Sequence, residues 1–184
     1  MISRLMLGAL TLVREQERGT WEGLISTPVS GFDAMLGKIT PYVLLGLGQA
    51  GIVWAISHWL FDLPIRGGLA PPGVAAALLA VGHLVMGFAL SALARTQVQA
   101  IQAAAFFYLP SILLSGFMFP FTGMPPWAMS LGEALPLTHF IRAARGVLLR
   151  GEEWNFVVLE MWPMVLFTVL VSTVAILVCR RRLE

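Results

Sequence analysis

The chain has 184 residues, 58% of them hydrophobic and only 12% charged, with a mean hydropathy of +0.81. Soluble domains carry about 25% charged residues, so a water-soluble core is excluded, and several spans leave no room for a second globular domain. The net charge of +2 does not indicate nucleic-acid binding, because the basic residues sit at the ends of apolar stretches. The one cysteine, Cys179, permits no internal disulfide and reads as a small apolar residue.

In chain order, Met1–Val13 is apolar apart from Ser3, Arg4 and Thr11. It is too short to span a bilayer and reads as a signal segment, an interfacial helix or the end of a longer helix. Arg14–Lys38 starts charged and turns amphipathic. Trp21, Leu24 and Ile25 recur at i, i+3, i+4, Pro28 interrupts the helix, and Ser30 and Asp33 have capping-box spacing. Two short helices joined at Thr27-Pro28 are predicted along the interface, either resting on lipid headgroups or docking a cytoplasmic partner. Glu15, Glu17 and Glu22 favour a protein partner, since acidic groups gain nothing from an anionic leaflet.

Four long apolar stretches follow at Ile39–Phe61, Val74–Ala94, Val98–Phe119 and Phe156–Cys179. Each is long enough for a helix to cross a hydrocarbon layer of about 30 Å. The expected fold is an all-α polytopic bundle of four full spans, with a partial N-terminal helix and an outer re-entrant hairpin. Arg14, Arg18, Lys38, Arg95 and Arg180 to Arg182 fall on one side of these spans. The other side holds Arg66, Arg142, Arg145 and Arg150. Positive residues favour the cytoplasm, which predicts a cytoplasmic C-terminus. Trp54, Trp59, Trp127, Trp154 and Trp162 then fall near the outer ends of spans, as an aromatic belt would.

Within the spans, Gly46 and Ala50, and Gly87 and Ser91, have the small-xxx-small spacing that lets helices approach closely. Gln99 and Gln102, with Ser111 and Ser115 further along, are candidates for lining a substrate path or for interhelical hydrogen bonding. Pro110 is expected to kink their helix. His58 lies near an outer end, and His83 is the better-buried histidine. The outer segment Pro120–Asn155 is too broken by prolines to span. Thr138 is expected to cap a helix from His139 to Leu149, with Phe140, Ile141, Ala144 and Leu148 apolar and Arg142 and Arg145 polar. The segment reads as an interfacial structural hairpin or as a re-entrant pair closing a path.

No G-x-x-x-x-G-K-[ST] loop, H-E-x-x-H or G-x-S-x-G motif occurs, so the residues offer no catalytic cluster, metal site or cofactor site. Intramembrane acid pairs are also lacking.

Arg14–Val29, REQERGTWEGLISTPV, resembles the R-E-x-E-x-G-T-x-E-x-L-x-x-T-P motif of ABC-2-type transporter permeases. Leu109–Phe117 resembles that family's L-P-x-x-L-L-S-G stretch, and Leu135–Thr138 with Arg145-Gly146 its L-P-L-T…R-G segment. The resemblance implies a membrane subunit of an ATP-driven exporter in the bacterial cytoplasmic (inner) membrane. It implies a drug, lipid or polysaccharide substrate, hydrolysis of ATP on a separate ATP-binding cassette ATPase subunit, and a second, identical or related, permease enclosing the path. It marks Glu17, Gly19, Thr20, Trp21, Glu22, Leu24 and Pro28 as the segment coupling to that ATPase, and the outer hairpin as re-entrant. Such permeases usually have six spans and an extracytoplasmic domain after the first. The match begins near the end of their second span, so an N-terminally incomplete domain is expected. The alternative is a membrane scaffold that docks a cytoplasmic partner without transporting anything.

Overall fold

A computed structural model describes residues 2–17, 31–61, 68 and 70–183. Among them the architecture is helical: α1 (Ile2–Glu17), α2 (Gly31–Phe61), α3 (Ala70–Leu93), α4 (Gln97–Leu114), α5 (Pro126–Glu133), α6 (Pro136–Arg145) and α7 (Trp154–Leu183). A 3₁₀ turn at Phe121–Gly123 precedes α5, and a π-helical turn at Gly146–Arg150 follows α6. Helices α2, α3, α4 and α7 are each long and apolar enough to cross a membrane. In lipid only structures that satisfy every backbone group internally can span, and these helices do. The chain is an all-α polytopic membrane protein.

Helix α3 is the central post. In the most apolar stretch of each span, 61% is buried in α3, against 6% in α2, 17% in α4 and 11% in α7. The cause is its composition, APPGVAAALLAVGHLVMGFALSAL, in which Ala, Gly and Ser recur on every face. Small side chains let neighbouring backbones close in, and α1, α2, α6 and α7 all pack against this one helix.

The closest crossing is with α1. A Cβ on Gly87 would strike the carbonyl oxygen of Leu5 and lie 2.8 Å from the Ala9 nitrogen; one on Gly8 would lie 2.6 Å from the Leu84 carbonyl oxygen. One turn further, the Val13 N–H donates to Ser91 Oγ at 3.2 Å. Gly87 and Ser91 thus use their four-residue spacing for packing within the chain. Leu5, Ala9 and Val13 are fully buried there, in a core shared with Ala94, Ala100 and Ala104. On another side of α3, Val85, Phe88, Ala89 and Ala92 pack on Ala175 of α7.

Helix α4 runs through Pro110 and stops at Leu114, short of the apolar stretch's end at Phe119. The stop is local. Gly116 has φ +76°, a left-handed conformation that only glycine adopts without strain, and the aromatic ring of Phe121 fills the space where its Cβ would stand. Helix α6 corrects the expected cap. It begins at Pro136, not after Thr138, because proline is preorganised for the first helical position and lacks the donor left orphaned there. Thr138 lies inside the first turn, fully buried, and its hydroxyl donates to the Gly132 carbonyl at 2.6 Å. The helix also ends earlier than Leu149, giving way at Gly146 to the π turn, which closes on Gly151 at φ +72°.

Candidate functional site: a groove along α4 beside the α5–α6 hairpin

Three of the four path candidates share one feature. An open groove of about 600 Å³ runs between α3, which contributes Met86 and Leu90, and α4, which contributes Gln99, Gln102, Ala103, Phe106, Phe107, Pro110 and Ser111, with Leu135 at its end. Gln99 to Ser111 is twelve residues of helix, roughly 18 Å at 1.5 Å per residue. For comparison, the hydrocarbon layer of a bilayer is about 30 Å thick. Its wall is apolar apart from the two glutamines and the serine.

Those polar groups differ in what they offer a ligand. Gln102 is exposed. Gln99 is exposed too, but its Oε1 already accepts from the Arg95 N–H at 2.8 Å while its own N–H donates to Thr96 Oγ1 at 3.3 Å. It serves as a helix cap at the start of α4 as well as a lining residue. Thr96-x-x-Gln99 is the spacing of a capping box, a signal in the sequence that identifies this second role. Ser111 is buried, and its hydroxyl donates to the Phe107 carbonyl at 2.7 Å. Ser115 is buried at the helix end, donates to the Ile112 carbonyl at 3.1 Å, and does not line the groove. Both serines thus bond within their own helix, which is how hydroxyls are accommodated in apolar surroundings. His83 is buried behind the groove, its Nδ1 within 2.9 Å of the Leu79 carbonyl and its ring edge-on to Phe107. It is a packing residue at this position. Phe107 also stacks on Phe167 of α7.

The segment after α4 forms a hairpin of two helices, α5 and α6, that packs against α3 and α7. Leu137 and Ile141 pack with Leu79 of α3 and Met164 of α7, while Ala143 and Val147 pack with Ala75 and Val157. Polar contacts fix its shape. Glu133 and Arg142 form a two-bonded ion pair, one bond being 2.9 Å. The guanidinium holds the Glu133 carboxyl below its ordinary range, and the carboxylate raises Arg142 in return. Arg142 also stands 5.0 Å over the Phe121 ring, a cation–π contact. Gly132 lets α5 sit against the end of α4, because a Cβ there would strike the Leu114 carbonyl. His139 and Glu160 bond at 2.6 Å and join the hairpin to α7. Sequence reasoning missed this pair, since nothing in the spacing of residues 139 and 160 brings them together.

Gly19, Thr20, Trp21, Glu22, Leu24 and Pro28 of the coupling segment lie outside the described residues, and Glu17 lies in the last turn of α1. Trp59, Trp127, Trp154 and Trp162 are all exposed. Among the described residues no cluster of three or more His, Cys, Asp or Glu side chains could hold a metal ion.

The ABC-2 type transporter family profile matches residues 1–149. The chain belongs to the ABC-2 type transporter family. It is 29% identical over 181 residues to the relative named Probable multidrug ABC transporter permease YbhR of Escherichia coli (strain K12), covering 98% of this chain and 49% of the relative. It is 30% identical over 162 residues to Inner membrane transport permease YhhJ of the same organism, covering 86% of this chain and 42% of that one. It is 27% identical over 132 residues to Linearmycin resistance permease protein LnrN of Bacillus subtilis (strain 168), covering 71% and 34%. This ABC-2 chain thus spans between about a third and a half of the length of these relatives. No solved structure matches it significantly.

Proposed function

We propose that the protein is the permease part of an ATP-driven exporter of the cytoplasmic membrane, and that an apolar or amphipathic substrate moves along the α4 groove. The observation that carries this reading is the groove itself: about 600 Å³, apolar, open on one side and punctuated by the exposed amide of Gln102. The family implies an ATP-binding partner subunit. Energy enters, in this reading, at Arg14–Lys38, where an ATPase grips the segment ahead of α2 through Glu17, Gly19, Thr20, Trp21, Glu22, Leu24 and Pro28. Its movement on binding ATP tilts α1 and α2. Through the α1–α3 crossing at Gly8 and Gly87 the tilt reaches α3, which forms the other wall of the groove. A second permease faces the open side and completes the path, and the C-terminus is cytoplasmic. The names of the relatives favour drug-like substrates.

Two measurements test this. Replacing Trp21–Ile25 with Gly/Ser is expected to abolish capture of the cognate ATPase in a pull-down; unchanged association removes the docking role. In cells carrying the whole transporter, Gln102→Leu is expected to change the ranking of exported substrates while leaving protein abundance unchanged. An unaltered ranking removes the groove as the path.

A further inference from the structure

Pro110 opens a polar atom in the groove wall. Proline has no N–H, so inside α4 it cannot donate to the carbonyl four residues back, that of Phe106. Phe106 and Pro110 both line the groove and are both exposed, and the carbonyl lies on the turn between them. Among the described residues no side-chain donor replaces the missing one. The Ser111 hydroxyl donates to the Phe107 carbonyl instead. The surrounding Met86, Leu90 and Ala103 side chains carry no donor, and neither do lipid acyl chains. A carbonyl oxygen only accepts. A ligand that covers it with hydrocarbon buries an acceptor without a partner, and an ether or ketone sets acceptor against acceptor. A hydroxyl or an amide N–H satisfies it.

We propose that the α4 groove selects neutral apolar molecules carrying a hydroxyl or an amide N–H, and that the Phe106 carbonyl, freed by Pro110, is the acceptor that selects them. This names the substrate class of the groove and rests on the reading of the groove as the path. Neutrality follows from the wall: no Asp, Glu, Lys or Arg is among its lining residues, so an ion entering it meets no counter-charge. The demand for a donor follows from the backbone. Gln102, one turn before Phe106, offers both an acceptor and a donor and so accommodates either kind of group. Only the carbonyl discriminates between them. Pro110 is a positioning residue here, acting through the hydrogen bond it does not make. Alanine at that position would supply the N–H and occupy the carbonyl, and alanine is the best helix former, so the variant is expected to fold.

The test compares pyrenemethanol with its methyl ether, a pair that differs only in the donor. Binding to the full chain in lipid nanodiscs is read by energy transfer from its tryptophans, with partition into protein-free nanodiscs subtracted for each compound. The wild type is expected to bind the alcohol roughly 5- to 30-fold more tightly than the ether, the worth of one satisfied acceptor. In Pro110→Ala the ratio is expected to fall to near one, through the alcohol's loss of affinity and not the ether's gain. In Gln102→Leu the ratio is expected to persist. Removing proline also changes the shape of the helix, so a third protein carries the α-hydroxy analogue of alanine at position 110. Its ester linkage again lacks the N–H but has no ring, and the preference for the alcohol is expected to return. Equal binding of the two compounds by the wild type overturns the selection alone. So does a ratio that survives Pro110→Ala, one that vanishes in Gln102→Leu, or one that the ester fails to restore. Binding of neither compound overturns the groove as a binding site and the selection with it.

Discussion

Replacing Gly87 with alanine tests whether the α1–α3 crossing organises the bundle. The added Cβ would stand 2.8 Å from the Ala9 nitrogen and 3.0 Å from Gly8 Cα, and closer still to the Leu5 carbonyl. All three are backbone atoms of α1, so no side chain can swing aside. Carbon contacts are optimal near 3.5 to 4.0 Å. The two helices must therefore separate by on the order of 0.5 to 1 Å, a gap that forfeits roughly a quarter to a half of each contact's dispersion energy. The Val13–Ser91 bond, already 3.2 Å, stretches out of range. Overpacking of this kind costs about 1–3 kcal/mol, and alanine returns up to about 1 kcal/mol of helix propensity. The net expectation is a loss of about 1–2 kcal/mol, or roughly 2–8 °C in the melting midpoint for a chain of this length. The assay is thermal denaturation in detergent, followed by fluorescence-detected size exclusion. Gly48→Ala is the control, because nothing lies within 4 Å of a Cβ at that position; it should match or exceed the wild type. If Gly87→Ala melts at or above the wild-type temperature while Gly48→Ala behaves the same way, the backbone-limited crossing is wrong.

Gly116→Ala combines a left-handed φ with a Cβ 2.6 Å from the Phe121 ring, and should cost about 1–3 kcal/mol; an unshifted midpoint would contradict the stop assigned to α4. Thr96→Ala removes the α4 N-cap and should cost about 1 kcal/mol, whereas Thr96→Ser should restore most of it. Glu133→Gln breaks a partly exposed ion pair and should change stability at neutral pH by no more than about 1 kcal/mol. The Glu133 carboxyl is lowered in the folded state, so its contribution is present above the unfolded carboxylate's range and is lost as pH falls through the folded value. A pH titration of the melting midpoint should therefore show a shallower acid limb in Glu133→Gln than in the wild type.

The fold class and four spans were legible because the bilayer requires long apolar helices, and length and hydropathy report those directly. Element ends were less legible. The Leu114 stop depends on the Phe121 ring settling over Gly116, and the α6 start depends on Pro136 winning over the Thr138 hydroxyl, which finds the Gly132 carbonyl instead. Three path candidates reached one groove, but only Gln102 does so without a capping or back-bonding role. Thr96-x-x-Gln99 carried the capping signal in plain view.

By itself the sequence determined the solvent, the number of apolar helices and, through the segment beginning at Arg14, the family resemblance. The tertiary structure alone decided which helix is central and what joins the hairpin to the bundle. The small residues of α3 could serve any neighbour, and only packing shows that Gly87 meets Gly8. His139 and Glu160 lie on different helices, 21 positions apart. Hydropathy is a sum over neighbours along the chain, whereas a close crossing or a buried bridge depends on which backbones meet in space.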